Sequence, residues 1–268
     1  MTAARIVLGF IVGAVLVYGL VVAAAWLGQR RLIYPAPSGR QTVPDGYERV
    51  LLQTSDGLTI DAAWRQGLPG RPVAVFFHGN GDRWSGAAQA MAPLARAGFG
   101  VLLPEYRGYS GNPGTPSEDG LYRDGDAAIA WLRDRGIADQ HIVPIGNSLG
   151  SGVAARMAVT HGLDRLVLVS PFTSLPDAAS ARFRFLPVRQ LIADRYDNRA
   201  MMEDYGGTAL ILHGVRDSLI PIDHAGALAD LSDRFTLVTF DEAGHELAYL
   251  PESGRAIRRW LHNEAEQP

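Results

Sequence analysis

One pentapeptide, Gly146-Asn147-Ser148-Leu149-Gly150, limits the folds open to this chain more than any other segment. It follows the apolar run His141-Ile142-Val143-Pro144-Ile145, which reads as a buried strand. It precedes residues 151–159, rich in alanine and other small residues, which read as a tightly packed helix. A strand that becomes a helix within five residues bends so sharply that a Cβ on either flank would meet neighbouring backbone, hence the two glycines. The turn lifts the Ser148 hydroxyl above the sheet and leaves the Leu149 amide in a position to hold an oxyanion. The pattern alone is weakly informative in a chain with 30 glycines, so its surroundings carry the inference.

Those surroundings agree. Ala209-Leu210-Ile211-Leu212-His213-Gly214 reads as a buried strand, and Asp217 falls in the loop after it, with Pro221 opening the next helix. Phe235-Thr236-Leu237-Val238-Thr239-Phe240 is a further strand, followed by Asp241-Glu242-Ala243-Gly244-His245. Ser148, Asp217 and His245 therefore each lie just past a strand, where an open α/β sheet presents its chemistry. Serine, then aspartate, then histidine is the chain order of one of the known hydrolytic triads. A hydroxyl is a poor nucleophile at neutral pH and needs a base within hydrogen-bond reach, and that base needs a carboxylate on its other nitrogen. Asp223 sits inside the following helix and Glu242 lies too near His245 in sequence, which leaves Asp217 as the orienting acid.

Upstream, Pro72-Val73-Ala74-Val75-Phe76-Phe77 runs into His78-Gly79-Asn80-Gly81-Asp82. With this segment, Tyr106-Arg107-Gly108-Tyr109-Ser110-Gly111, Pro116-Ser117-Glu118, Ser170-Pro171-Phe172-Thr173-Ser174 and Ala243-Gly244-His245, the chain from about Tyr34 onward resembles the α/β-hydrolase-domain family. The likeness is strongest to its small, membrane-anchored lipase-, esterase- and depalmitoylase-like members. The resemblance implies a serine hydrolase that cleaves carboxylic esters or thioesters through an acyl-enzyme, on a small-molecule or lipid acyl substrate. It implies Ser148 as nucleophile, His245 as base, Asp217 as its orienting acid, and the backbone amides of Asn80 and Leu149 as oxyanion hole. It implies no cofactor. These motifs are specific to the family and not to a substrate. An acyltransferase, a peptidase, a cofactor-free C–C hydrolase and a non-catalytic lipid-binding scaffold on the same fold all stay open.

The N-terminus is of another material. Residues 6–27 carry no charge, and as a helix they rise about 33 Å, enough to cross a bilayer core. Arg5 precedes the run, Gln29, Arg30 and Arg31 follow it, and Trp26 and Tyr34 stand at the far interface. Ala23-Ala24-Ala25 would also satisfy a signal-peptidase site, but the run exceeds an ordinary signal core and ends in arginines. The expectation is a single-pass membrane anchor over residues 1–30, an extended proline-bearing linker over 31–47, and a catalytic domain over 48–268. The arginines after the run lean toward a cytoplasmic domain, and the side of the membrane stays open.

Eight strands with helices interleaved from the third onward predict an α/β-hydrolase fold: a mostly parallel sheet covered on both faces. Residues 170–208, after the sixth strand, form a small apolar insertion rich in phenylalanine and arginine, expected as a helical rim over the site. A net charge of −3 without a basic face argues against nucleic acid, and the absence of cysteine removes disulfides, thiolate nucleophiles and cysteine-ligated metals. No histidine or carboxylate cluster has metal-ligand spacing. Arg107 and Glu118 are expected to serve structure, Arg107 by pairing with a carboxylate and Glu118 near a helix start.

Overall fold

A computed structural model describes residues 3–265 of the chain. A long helix, α1 (Ala3–Ile33), leads into a single eight-stranded sheet. The strands are β1 (Glu48–Gln53), β2 (Thr59–Arg65), β3 (Val73–Phe77), β4 (Gly100–Pro104), β5 (Ile142–Asn147), β6 (Arg165–Val169), β7 (Thr208–Gly214) and β8 (Phe235–Phe240). Their order across the sheet is β1-β2-β4-β3-β5-β6-β7-β8. Only β2 runs against its neighbours; β3 through β8 are parallel. Strands buried on both faces need apolar side chains at every position, and β3 (VAVFF) meets that demand with all five residues buried.

Alternate strand residues feed two cores. Val73, Val75 and Phe77 join the core beneath α3 (Glu118–Arg133) and α4 (Gly150–His161), while Ala74 and Phe76 join the one beneath α2 (Trp84–Arg96) and α9 (Pro251–Ala265). Ser117 caps α3 by accepting the Gly120 amide at 3.1 Å, and Glu118 and Asp119 favour its positive end. Arg107 donates to Asp124 at 2.9 Å and to Asp56 at 2.6 Å, tying the loop after β4 to α3 and to the β1–β2 turn. Glu118 does more than face a helix dipole. Its carboxylate accepts from the Tyr196 amide at 2.9 Å and from Tyr122 at 2.8 Å.

The insertion after β6 forms a low cap of three short helices, α5 (Leu175–Arg182), α6 (Val188–Leu191) and α7 (Asn198–Glu203), after which the chain re-enters the sheet as β7, and α8 (Asp223–Ala229) links β7 to β8.

The N-terminal region departs from expectation in two ways. The helix continues three residues beyond the anchor drawn at 1–30, so residues 31–33 are helical. The segment that follows is fastened to the domain. Tyr34 is buried, with its hydroxyl 3.1 Å from Asp194 and 2.9 Å from the Tyr196 hydroxyl. The Ser110 amide donates to the Pro37 carbonyl, and Gln41 binds Glu105, Ser110 and the Trp84 amide. A polar side chain that satisfies three partners in the folded domain does not belong to a free tether. Prolines in sequence signal an extended chain, but they do not reveal what that chain lies against.

Candidate active site

The turn between β5 and α4 has the geometry its glycines require. A Cβ on Gly146 would stand 2.3 Å from the Gly150 carbonyl oxygen, and one on Gly150 would stand 2.0 Å from that of Phe77. Ser148 takes φ +52°, a left-handed conformation that costs a non-glycine residue roughly 1–2 kcal/mol. Its amide is held by the Val169 carbonyl of the adjacent strand at 2.9 Å. The strained serine projects its hydroxyl off the carboxyl edge of the sheet.

There it meets the loops after β7 and β8. Ser148 Oγ lies 2.9 Å from His245 Nε2, and His245 Nδ1 lies 2.7 Å from Asp217 Oδ2. The carboxylate is fixed from below: Asp217 Oδ1 accepts the amides of Leu219 and Ile220, each at 2.9 Å. Burial alone would push the Asp217 carboxyl up, yet hydrogen bonds from His245, Ile220 and Leu219 hold it below the ordinary carboxylate value. An ionised Asp217 accepts from Nδ1–H, which leaves Nε2 bare to accept the serine proton. The structure thus brings Ser148, Asp217 and His245 into one hydrogen-bonded line.

Asn80 and Leu149 both border the space beside Ser148. Among the described residues, neither backbone amide donates to a protein acceptor. Asn80 is steadied by its other groups. Its carbonyl accepts from Tyr109 at 2.6 Å, and its side chain donates to the Ile33 carbonyl of α1 at 3.1 Å. Gly79 passes so close to Ser148 that a Cβ there would lie 3.7 Å from the serine Cβ.

Two histidines that sequence reasoning left without a role support these loops. His78 is fully buried, with Nδ1 2.8 Å from the Gly79 carbonyl and Nε2 2.9 Å from Glu105. Desolvation opposes its charge, but both ring nitrogens face oxygens, and the Glu105 carboxylate draws its pKa above the ordinary value. His213, at the end of β7, donates from Nε2 to the Ile220 carbonyl at 2.9 Å and sits 3.5 Å from Asp217. Burial holds its pKa down, so it stays neutral beneath the carboxylate. Each has a following glycine at a strand end as its only local signal.

Ser148 stands between two unlike spaces. On one side is a cavity of about 360 Å³, lined by apolar cap residues such as Leu175, Leu186 and Ile192 and by part of α1. On the other side is an open polar cleft bordered by Asp82, Asn147, His245, Glu246 and Tyr249. Among the described residues no group of three or more histidine, cysteine, aspartate or glutamate side chains is arranged to hold a metal ion.

Comparison with known proteins agrees with this layout. Residues 74–260 match the model of the alpha/beta hydrolase family. An uncharacterized protein of Mycobacterium tuberculosis is 38% identical over 259 residues, covering 91% of each chain. The lysophosphatidylserine lipase ABHD12 of Danio rerio is 28% identical over 234 residues, covering 79% of this chain and 58% of its own. Among solved structures, an esterase of Pyrococcus furiosus superimposes with a TM-score of 0.66 at 19% identity, covering 85% of this chain and 96% of the esterase. With this sheet order, the elbow after β5 and a family match over most of the sequence, the chain belongs to the alpha/beta hydrolase family.

Proposed function

We propose that the protein is a membrane-anchored serine hydrolase that cleaves carboxylic ester or thioester bonds of acyl lipids. The observation that carries this reading is the line from Asp217 through His245 to Ser148, at 2.7 and 2.9 Å, ending beside an apolar cavity. Ser148 Oγ attacks the acyl carbon as its proton passes to His245 Nε2, and Asp217 stabilises the imidazolium. The carbonyl oxygen, now an anion, is held by the amides of Asn80 and Leu149. Collapse breaks the bond to the leaving group, which takes the proton from His245. Water, deprotonated by the same imidazole, then attacks the acyl-serine, releases the fatty acid and restores the hydroxyl.

The two spaces divide the substrate. The apolar cavity receives the acyl chain, and its volume sits at the low end of ligand pockets, about 300–1,000 Å³, which suits one chain. The leaving group faces the cleft. That cleft has two carboxylates, Asp82 and Glu246, and no lysine or arginine among its bordering residues. A phosphate-bearing leaving group would meet like charge there, whereas a neutral alcohol such as glycerol would find hydrogen-bond partners. The name of the Danio rerio relative gives it a phospholipid substrate; for this chain the cleft favours monoacylglycerols.

Fluorophosphonate labelling of the full chain, mapped by mass spectrometry, is expected to modify Ser148; labelling of another residue would refute the mechanism. Replacing Ala179, on the cap wall of the cavity, by tryptophan is expected to lower turnover of long-chain esters about tenfold and spare acetate esters. At equal chain length, oleoylglycerol is expected to turn over faster than oleoyl lysophosphatidylserine. The reverse order would sink the leaving-group assignment.

A further inference from the structure

The wall of the cavity opposite the cap is α1. Ala25, Gln29 and Leu32 line it, at spacings that bring them to one face of the helix. The contact is a built one. Gln29 accepts the Ala193 amide at 2.8 Å and donates to the Leu191 carbonyl at 3.2 Å, and Arg30 pairs with Asp194 at 3.4 Å. One turn further along, Ile33 accepts from Asn80, the residue whose amide borders Ser148.

The cap also climbs the helix. Tyr18 donates to the Phe185 carbonyl at 2.9 Å. Twelve residues separate Tyr18 from Arg30, so the cap tip stands about 18 Å up the helix axis from the arginines that close the apolar run. That distance exceeds half of a bilayer core about 30 Å thick. The tip presents Phe185 at 91% exposure and Phe183 at 48%, beside a helix whose residues 3–21 are exposed on every side. Apolar surface of this kind on a loop tip and a neighbouring helix is costly in water and matched in lipid. Arg182 and Arg184 flank Phe183, and Arg182 also lines the cavity.

We propose that the cavity opens sideways into the hydrocarbon of the leaflet, between α1 and the cap tip at residues 183–186. Its occupant is a single acyl chain of a leaflet lipid, which slides in tail toward the bilayer interior and carbonyl toward Ser148, without passing through water. In this arrangement α1 is a wall of the substrate site as well as the anchor. The inference rests on the membrane-anchored hydrolase reading above and adds the route and the wall.

Two measurements on the full chain in phosphatidylcholine vesicles test it. The chain has no cysteine, so Phe185→Cys gives a unique position for an environment-sensitive NBD label. Quenching of that label by doxyl groups at mid-chain of the lipid, and protection from aqueous iodide, are expected. A label reached by iodide and untouched by lipid-borne doxyl would overturn the leaflet opening. Separately, Ala25→Trp, which fills the cavity from the α1 side, is expected to lower turnover of vesicle-borne oleoylglycerol about tenfold more than turnover of p-nitrophenyl acetate. Equal losses on both substrates, or none on oleoylglycerol, would refute α1 as a wall. Absence of any ester turnover in the unsubstituted chain would instead defeat the hydrolase reading, while the quenching result would still report where the cap tip lies.

Discussion

Alanine at Ser148 is expected to lower kcat on any ester by about 10⁶-fold, because a triad without its nucleophile retains only the oxyanion site and binding. Thermal unfolding should barely move, since alanine keeps the β-carbon and the backbone conformation and loses only the hydroxyl oxygen. Ser148→Gly separates chemistry from strain. Ser148 occupies φ +52°, where glycine sits freely, so this variant should be equally inactive yet unfold at the same temperature as the parent or above it. Both variants should fail to react with fluorophosphonate. Residual turnover near the parental rate in either one would remove Ser148 from the mechanism.

Asp217→Asn is expected to cost about 10⁴-fold in kcat, and the hydrogen bonds explain why a change of one atom does so much. Oδ1 accepts two backbone amides, so the asparagine carbonyl takes that position and its NH₂ turns toward His245 Nδ1. The imidazole must then carry its hydrogen on Nε2, facing Ser148, and has no lone pair for the serine proton. Stability should respond with a defined sign. The Asp217 carboxyl is held below its ordinary value, so its ionised form stabilises the fold above the unfolded pKa, near 4, and that contribution fades as pH falls through the lower folded value. The difference in Tm between the parent and Asp217→Asn should therefore be constant above about pH 5 and narrow below about pH 4. A difference that widens on acidification would show that the carboxyl is not held ionised in the fold.

What was legible in the sequence is what is local. The elbow announces itself through Gly146 and Gly150 because both close contacts involve backbone within a few residues or on the adjoining strand. Asp217 and His245 stand out because each follows an apolar run at a strand end. The sheet was readable for the same reason, with boundaries moved by one or two residues, as where β5 begins at Ile142 rather than at His141. The rest depends on encounters between distant segments. Glu105 meets His78 across 27 residues, and nothing beside Glu105 in sequence hints at a buried histidine. The face of α1 that lines the cavity is hidden in an apolar run with no periodicity, since the cap accepts the same kind of side chain that fills the rest of the run. Tyr18 inside that run and Gln29 just past it carry polar groups that bond to the cap, yet nothing beside them in sequence names their partners.

The helix α1 carries a seam partway along its length. Residues 3–21 are exposed, with only the Tyr18 hydroxyl reaching the cap at Phe185 among their described hydrogen bonds, whereas Val22, Ala25, Gly28, Gln29 and Ile33 are partly covered by the rest of the protein. Hydropathy would divide the molecule at the arginines, yet the catalytic body in fact begins about two turns earlier, inside the apolar run. A chain trimmed to residue 34 loses one side of the cavity beside Ser148 and bares the other. One trimmed to residue 22 keeps the cavity whole. The transplantable unit is therefore the globular body together with the last dozen residues of the helix, and any other helix grafted onto it has to join above that seam.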